Sequence, residues 1–326
     1  MSTYASPPAP ATPPPTVIDY DRGGYDYRNF WTDRQYEEWA EFRVLARIVG
    51  KIGQPRWFAD FGGGFGRNAV HYRDRARHSV IVDYSANNLA HAGELHADDI
   101  AAGRIHLIRA TVTALPFVDA AFDAAMVIRV LHHLGDVEQA LFEMGRTVRG
   151  SWLLDVPIKH HALGRLRSAI RLQSREMKSP EPLVRGTSEH PFRAYRLPVI
   201  RQRLSETDWD SALVASVNNF RRWDQAFPRP VVATLRPVVH TLEIVAQTTG
   251  RGWWGPSQFL LARRRNSVRP LLCPAPDGLP PTVAMLARRV VCPACRGALS
   301  WAPDQAECSV CRRTYYRKDV FWDFVP

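Results

Sequence analysis

The sequence predicts an α/β fold, a doubly wound sheet of largely parallel strands layered with helices. Three observations predict it. Apolar runs of five to seven residues recur between positions 57 and 156, with intervening segments long enough for helices. The first run, Trp57–Phe61, delivers the chain into Gly62-Gly63-Gly64-Phe65-Gly66, a strand followed by a tight loop. The chain has 326 residues, 45% of them hydrophobic, enough for one large core and something extra.

In chain order, residues 1–18 form a proline-rich lead that reads as disordered. It has no basic-then-apolar leader pattern, and no apolar run reaches the ~20 residues that span a bilayer. The simplest expectation is a cytoplasmic protein. A helix is expected from Asp33 to Val49, with Tyr36, Trp39, Ala40 and Ile48 on its core face. Strands follow at Trp57–Phe61, Ser79–Asp83, Ile105–Arg109, Phe122–Ile128 and Ser151–Val156. Two later runs, Ala212–Val217 and Gln258–Ala262, close a sheet of seven strands.

The glycine loop is the first chemical signal. Glycines let the backbone take positive φ and let a ligand approach the main chain. A structural turn is the plain alternative. A nicotinamide dinucleotide is the sharper one, since Gly64-Phe65-Gly66-Arg67-Asn68-Ala69 fits G-x-G-x-x-A and Asp83 follows at a distance suited to a ribose. Asp60 argues against it. A carboxylate ending the first strand repels a pyrophosphate but holds a ligand ammonium.

The segment Ala114-Leu115-Pro116-Phe117-Val118-Asp119-Ala120-Ala121-Phe122-Asp123, running on to Leu131-His132-His133-Leu134, decides between them. With Asp60 to Gly66 and Ile81-Val82-Asp83-Tyr84-Ser85, it closely resembles the class I S-adenosylmethionine-dependent methyltransferases of the type 11 group, over Trp57 to Val156. The resemblance implies a Rossmann-like sheet of seven strands, the last antiparallel. It implies that Asp60, Gly62, Gly64 and Gly66 hold the methionine end of the cofactor. Asp83 would accept from both ribose hydroxyls, Thr111 and Val112 would face the adenine, and Arg129 would border the site. Thr111 departs from the acid that many relatives place there; a hydroxyl accepts without charge assistance. An N-cap role for Asp83 is the competing reading, but Ser85 can supply that cap.

Within residues 19–265, segments 159–203 and 221–255 exceed a minimal methyltransferase and are expected to form a helical cap on the substrate rim. The chain has a net charge of +11, and residues 159–203 carry 11 Lys or Arg against 3 Asp or Glu. A basic rim suits an anionic small molecule or RNA. Leu163, Leu166 and Ile170 among Arg165, Arg167 and Arg171 also suit peripheral membrane contact. A solvated arginine-rich face is the plain reading. His132 and His133 follow the fourth strand, where substrate meets cofactor in this fold; either can serve as a base for a hydroxyl acceptor, or simply fill space.

A proline-rich linker, 266–287, holds the odd cysteine, Cys273, read as an ordinary thiol. In residues 288–326, Cys292-Pro293-Ala294-Cys295 and Cys308-Ser309-Val310-Cys311 are two C-x-x-C knuckles twelve residues apart. That spacing is expected to hold zinc on four thiolates; disulfides would need an oxidising compartment. The tail is similar to the small zinc-ribbon family that activates tRNA and protein methyltransferases as a separate subunit, departing at Lys318-Asp319-Val320-Phe321-Trp322. The reading is a methyltransferase for a small organic acceptor. RNA is the alternative substrate, and a non-catalytic scaffold with a docking ribbon is the alternative class.

Overall fold

The computed structural model describes Asp21 and residues 26–170, 174–187 and 191–325. The proline-rich lead lies outside the described residues.

A short 3-10 turn, Tyr27–Trp31, opens the described chain and is capped by Asp26, whose side chain accepts from the Arg28 amide. Helix α1 (Gln35–Ile52) follows. Its buried stripe of Tyr36, Ala40, Val44, Leu45, Ile48 and Val49 keeps helical spacing, which is why it forms and where it docks. Glu37 and Glu41 sit on the same buried face. The strands and helices then alternate: β1 (Trp57–Phe61), β2 (His78–Asp83), α2 (Ala86–Leu95), α3 (Ala97–Ala101), β3 (Ile105–Arg109), β4 (Phe122–Val127), α4 (Val137–Thr147) and β5 (Val148–Pro157). Strand β1 is buried at all five positions, as a central parallel strand covered on both faces must be.

After β5 come α5 (Ala162–Ile170), α6 (Ser174–Lys178), the hairpin β6 (Leu183–Gly186) and β7 (Pro191–Ala194), α7 (Leu197–Glu206), β8 (Trp209–Val217), α8 (Arg229–Thr249) and β9 (Ser257–Arg264). The tail holds α9 (Pro281–Ala287), β10 (Leu299–Trp301), β11 (Gln305–Cys308), β12 (Thr314–Lys318) and β13 (Phe321–Asp323).

The main sheet runs β10-β11-β12-β13-β3-β2-β1-β4-β5-β9-β8. The pairs from β13 to β5 are parallel, and β9 is antiparallel to both β5 and β8. The expected seven strands are therefore all present, but they are part of a sheet of eleven. Four tail strands extend it, because β13 pairs with the exposed edge of β3 through Phe321↔Leu107, Trp322↔Ile108 and Asp323↔Arg109. The edge is covered rather than left as an open template. The same packing draws Cys292, Ala306, Cys308 and Trp322 into one apolar cluster with Phe61, Leu115, Phe117 and Phe122 of the central sheet.

Helices make up the larger part of the regular structure in both insertions. Residues 159–203 hold α5, α6 and the first turns of α7 beside the β6–β7 hairpin. The Lys159 ammonium, nearly fully buried, fastens this segment by donating to the carbonyls of Glu176, Ser179 and Glu181. Residues 221–255 contribute α8, which lies on α1. The Tyr36 hydroxyl donates to Glu243 and the Gln247 amide to the Ala40 carbonyl. Its inward stripe of Val232, Glu243, Ala246 and Gln247 selects that partner. The stretch 266–287 likewise is not all linker, since it ends in α9.

Candidate active site

The loop after β1 is shaped by left-handed glycines. Gly62 has φ +68°, and a Cβ there would lie 2.2 Å from the Val130 Cγ2. Gly66 has φ +78° and would collide with the His96 ring. Neither position tolerates a side chain. The loop borders a cleft lined by Tyr27, Trp31, the loop backbone, Asp83, Thr111, Val112, Arg129 and His133, among others.

Asp83 ends β2 at the cleft wall. Its two oxygens are held by different donors: the Gly64 amide gives to Oδ2 at 2.8 Å and the Ser85 amide to Oδ1 at 2.9 Å. Burial pushes its carboxyl above the usual range, against these bonds. Ser85 caps α2 by accepting from the Asn88 amide, so Asp83 is not spent as a cap. Asp21 accepts from the Ser85 hydroxyl and from the Ala86 amide at the same helix start.

Gly62, Gly64, Asp83, Thr111, Val112, Arg129 and His133 thus meet at one cleft. Asp60, Gly66 and His132 are not among its lining residues. Asp60 is 1% exposed, beneath the loop, where a Cβ on Gly63 would lie 2.9 Å from its Cγ; it accepts from the Tyr72 hydroxyl at 3.1 Å. Burial raises its pKa to about 7. The His132 ring lies tilted against its neighbours, its centroid 3.8 Å from that of His133 and 4.7 Å from that of Phe192 of β7. Burial holds it well below the ordinary histidine range, so it stays neutral. The Tyr195 hydroxyl donates to the Leu131 carbonyl in the same turn, which places residues 191–195 of the basic insertion behind the histidine pair. Arg165 is exposed and gives its Nε to the His160 carbonyl, away from the cleft lining. The Thr111 hydroxyl meets that of Thr113 at 2.8 Å.

Sequence reasoning named Arg129 but missed the wall it helps to build. The guanidiniums of Arg67 and Arg129 lie 3.6 Å and 4.6 Å from the centre of the Trp31 ring. Both guanidiniums converge on the buried Glu41 carboxylate, Arg129 through an Nε bond of 2.7 Å. Burial would raise Glu41, but the two arginines hold it below the usual range. Arg129 itself takes φ +60°, and its amide donates to the buried Asp155. The signal for this wall lay in Glu37 and Glu41, two acids i,i+4 on an apolar stripe, which demand buried cations.

Asp155, which accepts from the Ser257 hydroxyl, is likewise raised by burial, to about 6. For both acids the folded pKa lies above the reference value of 3.8. Their contribution to stability is full below the unfolded pKa and is lost as pH rises through the folded one. Between about pH 4 and pH 7 the melting temperature of Asp60→Asn should gain steadily on that of the parent, while buried neutral histidines such as His132, which act in the opposite direction, are common to both. A constant difference between the two across that range would remove Asp60 as a source of pH dependence.

In the tail, the Sγ atoms of Cys292, Cys295, Cys308 and Cys311 all lie within 4.8 Å of one another. Amides of Val310 and Cys311 point at the Cys308 sulfur. Against burial, bonds led by the Tyr315 hydroxyl hold Cys292 down at about 7. The donors around Cys292 and Cys308 favour their thiolates, and four sulfurs this close together fit a tetrahedral metal. Cys273 stands apart; its Sγ faces the Val290 carbonyl and burial raises its pKa. Arg296, next to the knuckle, reaches Glu143 of α4 at 2.5 Å and the Leu115 carbonyl at 2.9 Å. Glu143 also accepts from the Leu115 amide.

A methyltransferase domain family matches residues 59–151. The chain is 28% identical over 197 residues to the O-methyltransferase resE of Aspergillus sclerotiorum, covering 56% of this chain and 73% of that protein. It is 28% identical over 158 residues to the probable S-adenosylmethionine-dependent methyltransferase Rv3030 of Mycobacterium tuberculosis, covering 46% and 52%. It is 28% identical over 182 residues to the demethylmenaquinone methyltransferase of Renibacterium salmoninarum, covering 56% and 65%. The chain therefore spans between about half and three quarters of the length of these relatives. Among solved structures, it is similar to the 1,6-didemethyltoxoflavin-N1-methyltransferase of Burkholderia thailandensis with bound S-adenosylhomocysteine, at a TM-score of 0.44 and 16% identity over 73% of this chain and 82% of that one. The chain carries an S-adenosylmethionine-dependent methyltransferase domain.

Proposed function

We propose that this chain, built around that domain, transfers a methyl group from S-adenosylmethionine to an oxygen of a small organic acceptor. The observation that carries the reading is Asp83, whose two separately held oxygens stand at the cleft wall beside the Gly62–Gly64 backbone. A diol needs a paired acceptor of this kind. The donor set around the cleft fits the cofactor: loop amides and Asp83 on one side, Thr111 and Val112 on the other, and the aromatic wall of Tyr27 and Trp31. When bound, S-adenosylmethionine supplies an activated methyl on a sulfonium.

The residues of this chain position the reactants and handle the proton. Asp60 supports the loop from beneath, rather than touching the ligand. His133, at the cleft, is the group assigned to take a hydroxyl proton, and His132 packs behind it against Phe192. The oxygen acceptor is supported by O-methyltransferase relatives. The four-cysteine cluster is assigned to zinc, which would tie the two knuckles of the tail together.

Calorimetry tests the cofactor site. Asp83→Ala should weaken S-adenosylmethionine binding by about 1.5–3 kcal/mol, the worth of hydrogen bonds to a charged group. Unchanged affinity would remove Asp83 from the site, and tight binding of NAD would overturn the reading. Transfer of labelled methyl into a metabolite extract, lost in His133→Ala while cofactor binding persists, tests the chemistry. Label in RNA would make the acceptor RNA, and no label in any pool would favour a scaffold.

A further inference from the structure

Helix α8 exposes a long surface that the methyl-transfer reading leaves unused. Val231, Leu235, Val238, Leu242 and Val245 recur at intervals of four and three and are each at least 38% exposed. Over 21 residues this face is about 30 Å long. Ala233, Thr234, Pro237, Thr241, Ile244 and Thr248 beside it are exposed and uncharged. The hydroxyls of Thr234, Thr241 and Thr249 donate to the carbonyls of Pro230, Pro237 and Val245, so they show methyl groups outward. The single acid of the helix, Glu243, is turned inward and bound by Tyr36 and Asn219. An uncharged arc of this width and length is not the surface of a helix made to face water.

We propose that α8 docks on an anionic phospholipid surface, lying in the plane of the interface. Charge complementarity selects this occupant. Arg222 and Arg251 are exposed near the two ends of the helix, whereas Arg229 and Arg236 line the groove toward α1. The chain as a whole carries +11. Exposed aromatics bracket the helix, Phe227 before it and Trp253 and Trp254 after it, where the ends of an interfacial helix meet the headgroups. A self-pairing seam with the same four-three spacing would be narrow and bordered by charges that set register; here those borders are threonine, alanine, isoleucine and proline. Among the described residues no helix is long and apolar enough to cross a membrane, which fits a helix that lies on one.

The test uses the full chain and vesicles of phosphatidylcholine with or without phosphatidylglycerol. Sedimented protein should rise with the anionic lipid and fall with salt, and Leu235→Asp with Leu242→Asp should weaken binding about tenfold or more. Tryptophan emission should be quenched by brominated lipid chains in the parent and not in the double variant. Both substituted side chains are exposed, and an unchanged melting temperature confirms that the variant is folded. Absence of vesicle binding by the parent, or equal binding by the double variant, overturns the proposal. So does a dimer in light scattering that the double variant makes monomeric, which would give the face to a second copy of the chain. None of these readouts depends on methyl transfer.

Discussion

Cys292→Ser is expected to lower the melting temperature of the whole chain and also to weaken cofactor binding. A tail hung on a linker would lose only its own structure. Here β13 is the neighbour of β3, the Phe324 amide donates to the Arg109 carbonyl, and the Val291 amide donates to the Pro116 carbonyl. Arg109 pairs with Asp323 and donates to the Tyr84 carbonyl, and Tyr84 lines the cleft. Arg296 bridges the cysteine knuckle to Glu143 and Leu115, three residues beyond Val112. Loss of one thiolate should remove the metal and slacken both connections. A cost of about 3 kcal/mol would move the melting temperature by roughly 4–5 °C for a unit of this size. Metal analysis of the parent should give about one zinc, and the variant none. Full metal content in Cys292→Ser, with loss in Cys273→Ser, would overturn the ligand assignment. A variant that loses its metal but keeps its melting point and cofactor affinity would show the tail to be energetically separate.

Glu41→Gln should be the most destabilising single change at the site. The carboxylate is 1% exposed and serves two guanidiniums, Arg67 and Arg129, themselves 11% and 14% exposed. Removing one partner of a buried ion pair leaves charge without compensation, at a cost of about 3–5 kcal/mol. The loss should reach the cleft as well, since the same arginines pack on the Trp31 ring. Urea denaturation should show the reduced stability, and calorimetry a weaker cofactor. Glu41→Asp, keeping the charge, should recover part of both. A stability within about 0.5 kcal/mol of the parent, the range of surface substitutions, would exclude this network as a structural anchor.

Much of the sheet was legible because its strands are buried on both faces. Runs such as Trp57–Phe61 and Phe122–Ile128 have one reading when they are this apolar and end at turn residues. The glycine loop was legible because positive φ and close approach exclude other residues, as the Gly62–Val130 contact shows. Asp83 was legible with Ser85 beside it, since a free cap residue releases the acid. Asp60 was legible as the acid that ends β1, but sequence gives its place on the strand and not which side of the loop it faces; it lies beneath Gly63. Where the second insertion docks was hidden for a similar reason. Residues 221–255 do hold a helix, but its inward stripe is matched by Tyr36 and Ala40 of α1, a pairing across some two hundred residues.

By itself the sequence determined the alternation of strands and helices, the glycine loop, the acid at the end of β2 and the paired cysteine knuckles. Each is a local pattern of polarity, backbone freedom or ligand spacing. Only the tertiary structure decided that the tail completes the sheet, that two arginines pack on the Trp31 ring at the cleft, and that α8 turns its acid inward and its valines and leucines out. Those outcomes depend on which distant surfaces complement one another, and complementarity between segments far apart in the chain is a property of packing, not of local pattern.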